Sequence, residues 1–263
     1  MRSMNAGSNS VEIRNHTERF YNDKVYETYW PKARGYRVPL RYSLVVAHIR
    51  SLPQRPGLVV EIGPETAETA MFLTHELGLG VEGYWAIDVS SRAVQSLVDS
   101  GIRATAADAS RDAIPLCANV ADVVVMNEVI EHLLDPDFAL EQARRVLKRS
   151  GVLIITTPNL AAWFNRLILL AGLQPLYTET GTEWVLGRGR FAPRGRPVGH
   201  VHLFTKGSLS GLLDLHGFKI EKLRGMPLEV RQLRSGLPMA IDRLFSRVPA
   251  LAAGFFVVAR PRE

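Results

Sequence analysis

The sequence predicts an α/β fold: a doubly wound, mostly parallel sheet of seven strands, with helices on both faces. Three observations point to it. From residue 57 onward, short apolar runs alternate with helix-length runs, the order that builds a parallel sheet. The short runs, such as "GLVVEIG" and "ADVVVMNE", are almost continuously apolar, as strands covered on both faces must be. The chain also closes on two strand-like runs, which predict an antiparallel pair at the sheet edge.

The elements follow in order. Residues 1–10, "MRSMNAGSNS", are small and polar and are expected to be a disordered tail. Residues 11–56 carry an aromatic cluster at Phe20, Tyr21, Tyr26, Tyr29 and Trp30 and read as a helical cap on the domain of 57–263. Then come the strand "GLVVEIG", the helix "AETAMFLTHEL", the strand "GYWAIDVS", the helix "SRAVQSLVDSG", a short strand "IRATAAD" and the strand "ADVVVMNE". In "DPDFALEQARRVLKRSG", Asp135 suits an N-cap and Pro136 the first helical position. Ala139, Ala143, Val146 and Leu147 form its buried stripe, Lys148 and Arg149 sit at the negative end, and Gly151 is expected to end it. "GVLIITTPN" is the next strand.

After Asn159 the alternation stops for about 40 residues, a length that marks an insert, residues 160–199. "LAAWFNRLILLAGLQPL" reads as one or two apolar helices, and the Arg- and Gly-rich "VLGRGRFAPRGRPVG" as a loop. Regular structure resumes at "HVHLFT", continues through the helix "KGSLSGLLDLHG", the strand "FKIEKLRG" and a helical stretch near 237–247, and ends on the strand "AGFFVVARP".

Bulk composition narrows the function classes. The 263 residues are 46% hydrophobic and 22% charged, enough for a large core. Lys plus Arg number 32 and Asp plus Glu 26, a net charge of +6. That excess admits an anionic partner, but no basic–aromatic motif supports nucleic acid. Cys117 is the sole cysteine, so neither an intrachain disulfide nor a cysteine-based zinc site is expected, and a reducing cytoplasm suits the chain. No signal-peptide pattern is expected in residues 1–10, and no run reaches the roughly 20 apolar residues of a membrane span.

Open α/β sheets bind ligands at the C-terminal ends of their strands. Here those ends carry Glu61-Ile62-Gly63, Asp88, Asp108 and Asn127-Glu128. An acid at the end of the second strand can accept hydrogen bonds from both ribose hydroxyls, and this serves a nicotinamide dinucleotide and S-adenosylmethionine alike. The first loop separates the two. A pyrophosphate needs glycines and backbone N–H groups at the helix start. This loop has one glycine, Gly63, and three acids, Glu61, Glu65 and Glu68. Like charges at about 4 Å repel by roughly 4 kcal/mol at an effective dielectric of about 20. The acids therefore oppose a pyrophosphate and attract the sulfonium and ammonium of S-adenosylmethionine.

The segments "VVEIG", "AIDVSSRAV", "ADASRDAIPL" and "ADVVVMNEVIEHLLDPDFALEQARRVLKRSGVLIITTPN", with "GHVHLFTKGSLSGLLDLHGFKIEKL" later, resemble class I S-adenosylmethionine-dependent methyltransferases with a Rossmann-like sheet. The likeness spans roughly residues 57–225 and is nearest the small-molecule branch that includes ubiquinone-biosynthesis O-methyltransferases. The resemblance implies that S-adenosyl-L-methionine is the cofactor. It places Glu61 and Gly63 beside its methionine part, Asp88 on the ribose hydroxyls and Val89 on the adenine face. It also places Asp108 and the Ala109 N–H at the adenine edge, and Asn127 and Glu128 near the methyl. The chain departs from the family at Glu65 and Ala67, where glycines are usual; a non-catalytic descendant, a nicotinamide oxidoreductase and an RNA methyltransferase remain as alternatives.

Methyl transfer from a sulfonium needs alignment and a deprotonated acceptor more than a metal. His132, in "EVIEHL", is the candidate general base, followed by His200 and His202. His200 and His202 would share a face if they lay on a strand, but two ligands without a third predict no metal site. Tyr177, Glu179 and Glu183 are candidates to line the pocket of a small-molecule acceptor, lipid-like or glycan-linked. Residues 163–176 and the arginines 188, 190, 194 and 196 either pack and solvate ordinarily or meet a membrane surface.

Overall fold

The computed structural model describes residue 18 and residues 38–64, 66–189, 195–228 and 237–262. The expected tail, the aromatic cluster of the cap, Glu65, Arg190 and Arg194 lie outside those residues. The elements are α1 (Leu40–Arg50), β1 (Val59–Ile62), α2 (Ala67–Leu77), β2 (Tyr84–Asp88), α3 (Ser91–Asp99), β3 (Ala104–Ala106) and β4 (Ala121–Asn127). They continue with α4 (Pro136–Val146), β5 (Leu147–Pro158), α5 (Trp163–Leu170), α6 (Lys206–Leu215), β6 (Phe218–Met226), α7 (Leu237–Phe245) and β7 (Gly254–Pro261).

The seven strands form one sheet in the order β3-β2-β1-β4-β5-β7-β6. Strands β1 to β5 pair in parallel, and β7 runs antiparallel to both β5 and β6. The antiparallel pair is as predicted, but it is not an edge hairpin. β7 inserts between β5 and β6, where its apolar run, Phe255 to Ala259, is buried on both faces. The charged β6 takes the edge, where Lys219, Glu221 and Lys222 meet solvent.

Alternate residues of β4 feed the two cores. Val124 and Met126 face α4 and α6, meeting Ala139, Leu140, Ala143, Leu209 and Leu213. Val123 and Val125 face α1, α2 and α3, meeting Tyr42, Val45, Ala70, Leu73 and Leu97. α1, the described part of the expected cap, thus shares this second core.

Side-chain caps set the helix starts. Thr66 and Thr69 form a reciprocal capping box on α2. The Ser90 side chain accepts from the Ala93 N–H, and Asp135 from the Phe138 N–H ahead of Pro136. α4 ends earlier than predicted, at Val146, because Leu147 already pairs with Ala121 in the sheet. The register then shifts, since Val152 is the partner of Val123. Gly151 serves that irregularity rather than a helix end: a Cβ there would lie 2.8 Å from the Lys148 carbonyl oxygen.

The insert contains one helix, α5, among its described residues. Its attachment is polar. Buried Asn159 donates to the Ala252 carbonyl at 2.8 Å and accepts from the Ala161 N–H at 2.9 Å. Buried Asn165 accepts from the Leu176 N–H at 2.8 Å and donates to the Leu160 carbonyl at 3.1 Å. Trp163 stacks on Phe245 and donates to the buried Asp242.

Candidate active site

The C-terminal edges of β1, β2 and β4 bring the expected acids to one side of the sheet. Glu61 ends β1 fully buried and accepts a hydrogen bond from the Tyr84 hydroxyl of the neighbouring strand. Burial, with the Glu61 charge beside it, pushes the Tyr84 phenol up, so the tyrosine stays a donor. Gly63 follows in the left-handed region at φ 64°, and its N–H donates to the Ile87 carbonyl at 2.7 Å. A Cβ there would lie 2.6 Å from Val129 Cγ2, so both conformation and space demand glycine. Ala67 is the first residue of α2 and is buried, a helical position at which alanine carries no strain. Glu68 is exposed on the first turn.

Asp88 ends β2 half-buried. Its Oδ1 accepts the Ser90 N–H at 2.7 Å. Burial nevertheless raises the Asp88 carboxyl to about 7, the Ser90 bond opposing that shift. Val89, next to it, is also half-buried. Asp108, after β3, is buried and turned partly into its own loop, accepting the Ser110 N–H at 2.9 Å and facing Arg111 Nε at 3.3 Å. Ala109 is buried beside it.

At the end of β4, buried Asn127 accepts from the Thr156 hydroxyl on β5, and its Nδ2 has no hydrogen-bond partner among the described residues. Glu128 adopts φ 59°, a strained left-handed turn for a glutamate, and its N–H donates to the Thr156 carbonyl at 3.1 Å. The turn aims the chain end of β4 at a cavity of about 150 Å³, lined among others by Arg41, Glu128, Pro158, Tyr177, Met226 and Leu228. That is room for a small organic group, several times a single water.

A 3-10 turn, Ile130–His132, follows. Glu131 is fully buried; its Oε2 accepts from the Thr157 hydroxyl at 2.9 Å, and its backbone carbonyl accepts from the Val201 and His202 N–H groups. Burial and the neighbouring Glu128 charge push the Glu131 carboxyl well above the usual range. His132 contacts the Gly199 carbonyl through Nδ1 at 3.1 Å, and its ring lies 4.8 Å from that of His200. Burial first, then His200, lowers His132 to about 4, so the ring is neutral at pH 7.

The insert completes this corner. Tyr177, at φ 71°, lines the cavity, and its carbonyl meets His200 Nδ1 at 2.8 Å. Glu179 binds the backbone N–H groups of Val198 and Gly199. Glu183 is exposed, away from the buried wall. Residues 200–202 form no strand, so the two histidines share no strand face: His200 joins His132, while His202 lies beside Phe204. Arg188 donates to the Thr178 carbonyl, and exposed Arg196 lies 5.9 Å from the Trp184 ring. α5 buries Phe164 but exposes Leu167, Leu169 and Leu170. No helix among the described residues is long and apolar enough to cross a membrane.

Sequence reasoning missed Glu131, Thr157 and Arg41. Glu131 carried a signal, an acid beside His132 immediately past a strand end. Arg41 carried none, because only packing of α1 on the sheet brings it to the cavity.

None of the curated proteins matches the chain significantly. The model of the methyltransferase-domain family matches residues 36–223. Among solved structures, the CcbJ methyltransferase of Streptomyces caelestis is similar at TM-score 0.62 and 13% identity, over 94% of this chain and 99% of that one. A SAM-dependent methyltransferase of Thermotoga maritima aligns at TM-score 0.57 and 17% identity, over 93% and 99%. One from Mesorhizobium loti aligns at 0.55 and 15%, over 84% and 97%. These identities carry the fold alone; the family model carries the rest, and it decides between the two cofactors that the acid at the end of β2 left open. The chain belongs to the methyltransferase-domain family, and the protein is an S-adenosylmethionine-dependent methyltransferase.

Proposed function

We propose that S-adenosylmethionine lies along the strand ends from Asp108 to Glu128 and donates its methyl to a small molecule held in the cavity beyond Glu128. The observation that carries this reading is the Asp88 carboxyl at the end of β2. One oxygen is held by the Ser90 N–H, and the half-buried carboxyl stands at the end of β2 beside the ends of β1 and β3. Asp88 accepts from the ribose hydroxyls, Val89 packs on the adenine, and Asp108 with the Ala109 N–H serves its edge. Glu61 and Gly63 flank the methionine part. Asn127 Nδ2, a buried donor without a protein partner, suits the methionine carboxylate, and Glu128 suits the cationic end.

Beyond the methyl, the wall mixes Glu128, Arg41 and the Tyr177 ring with Pro158, Met226 and Leu228, which suits a small acceptor with an apolar body and one polar end. His132 is neutral, but as a base it is weak, because burial opposes its protonation. A lipid-like acceptor is a second reading, favoured by Leu167, Leu169 and Leu170, exposed on the helix that leads into the Tyr177 wall.

Calorimetry tests the cofactor arrangement. S-adenosylmethionine and S-adenosylhomocysteine should both bind, and Asp88→Ala should weaken binding by about 100-fold, the loss of two bonds to a charged acceptor. No binding at millimolar concentration by the folded wild type would sink the proposal. An unchanged affinity in the variant would remove Asp88 from the ribose site.

A further inference from the structure

We propose that Glu131, His132 and His200 form a binding site for a divalent first-row transition ion at the acceptor end of the active site. One potential ligand atom from each of the three lies within 4.8 Å of the other two. Ligands at about 2.1 Å from a tetrahedral ion stand about 3.4 Å apart, so the rings and carboxylate need close only by about 1.4 Å.

Each ligand is already held by a second group, as metal ligands generally are. His132 Nδ1 faces the Gly199 carbonyl and His200 Nδ1 the Tyr177 carbonyl. A carbonyl can only accept, so both rings carry the proton on Nδ1 and the lone pair on Nε2. Glu131 Oε2 is fixed by the Thr157 hydroxyl. Its Oε1, in a fully buried residue, has no hydrogen-bond partner among the described residues. A purely structural cluster would leave that oxygen orphaned beside two imidazoles, at a cost that native structures rarely carry. An ion satisfies it.

The backbone shows the same preorganisation. The Val201 and His202 N–H groups both bond the Glu131 carbonyl, at 2.8 and 3.0 Å, which docks the His200 segment on the turn that carries the other two ligands. Glu179 grips the two residues before His200 through their N–H groups. Two imidazoles and one carboxylate favour manganese, iron, cobalt or zinc over magnesium or calcium, which prefer oxygen. Three protein ligands leave at least one position open.

This inference deepens the methyl-transfer reading and rests on it for the role of the ion. The site neighbours the cavity through Tyr177, whose carbonyl meets His200 Nδ1 while the residue itself lines the cavity. An acceptor oxygen entering there ligates the ion and loses its proton to water. That oxygen then forms a bond to the methyl carbon as the carbon–sulfur bond breaks, giving the methyl ether and S-adenosylhomocysteine. The ion does not change oxidation state. His132 acts here as a ligand in place of a general base, and the acceptor is an oxygen compound.

Cobalt(II) alone is the probe. The wild type should bind one equivalent with visible d–d absorption, and zinc(II) should displace it while magnesium(II) in the same range does not. Glu131→Gln and His200→Gln should each weaken cobalt binding by about 100-fold, and Thr157→Val, which removes only the support of Glu131, by about tenfold. S-adenosylhomocysteine affinity, measured on the same samples, should stay within about threefold in all three variants. Absence of a d–d spectrum with the wild type, or equal cobalt affinity in Thr157→Val and the wild type, overturns the site. Displacement by magnesium overturns the assigned metal class. Cobalt binding with no S-adenosylhomocysteine binding would instead break the methyl-transfer reading while leaving the metal site standing.

Discussion

Residues 57–159 and residues 160–205 meet at the same edge of the sheet but are held there by different means. The first region is built from strands and helices whose backbone bonds are internal to the ladder, with caps such as Ser90 and Asp135 at the junctions. The second has a single eight-residue helix among its described residues and is tied down by polar side chains, buried Asn159 just before it, buried Asn165 and half-buried Glu179, bonded to backbone 11 to 93 positions away. In the proposed arrangement the first region presents the cofactor-side residues, and the second presents Tyr177 and His200 on the acceptor side. A regular scaffold can fix one ligand geometry for a whole family, whereas a connection held by a few polar clamps can be rebuilt around another acceptor without touching the sheet.

Four changes test that division, from the largest expected effect to the smallest. Gly63→Ala attacks the scaffold. It forces a side chain into the left-handed region and into Val129, and should destabilise the protein by about 3 kcal/mol in urea unfolding. A loss below about 1 kcal/mol would mean that the turn yields.

Acid should act at the junction of the regions. The folded pKa of His132 is depressed to about 4 from 6.5, so the unfolded chain binds the proton first. Its stabilising contribution is present above pH 6.5 and drains away between pH 6.5 and 4. Between pH 7 and 5, in chelator, the wild type should lose about 2 kcal/mol relative to His132→Gln. Parallel stability profiles for the two proteins would place His132 in solvent.

Glu179→Ala attacks only the second region. It frees the Val198 and Gly199 N–H groups and should cost about 1 kcal/mol. Amide exchange should rise at 198–202 while protection of β1 and β4 is unchanged. Equal loosening of both would show that the regions unfold as one unit.

The last test is a linkage measurement that perturbs no residue. With Asp88 near 7 in the empty site, ribose donors favour its ionised form. Binding of S-adenosylhomocysteine at pH 7 should therefore release roughly half a proton, seen as a buffer-dependent heat, and affinity should rise between pH 6 and 8. Proton uptake would reverse the assigned geometry.

How much could be read in advance follows the same division. Alternating apolar runs and caps displayed the first region's strands, the sheet class and the acids at the strand ends. Element ends were less legible. α4 runs into β5 at Leu147 because strand pairing with Ala121 outcompetes one more helical turn, a contest decided outside the segment. The Asp108 carboxylate, expected at the adenine edge, also accepts the Ser110 N–H of its own loop, a bond that no strand pattern displays.

The sequence by itself determined the seven strands, the family resemblance, the acidic first loop and the glycine at 63, because each depends on local periodicity, charge or backbone conformation. Only the tertiary structure decided that β7 lies inside β6, that Arg41 and Tyr177 share a cavity with Glu128, and that His200 leaves His202 to join Glu131 and His132. Those pairings join residues up to 136 positions apart, Arg41 and Tyr177 in one cavity wall. No local pattern encodes them, because they follow from which apolar faces bury each other and which buried polar atoms then need partners.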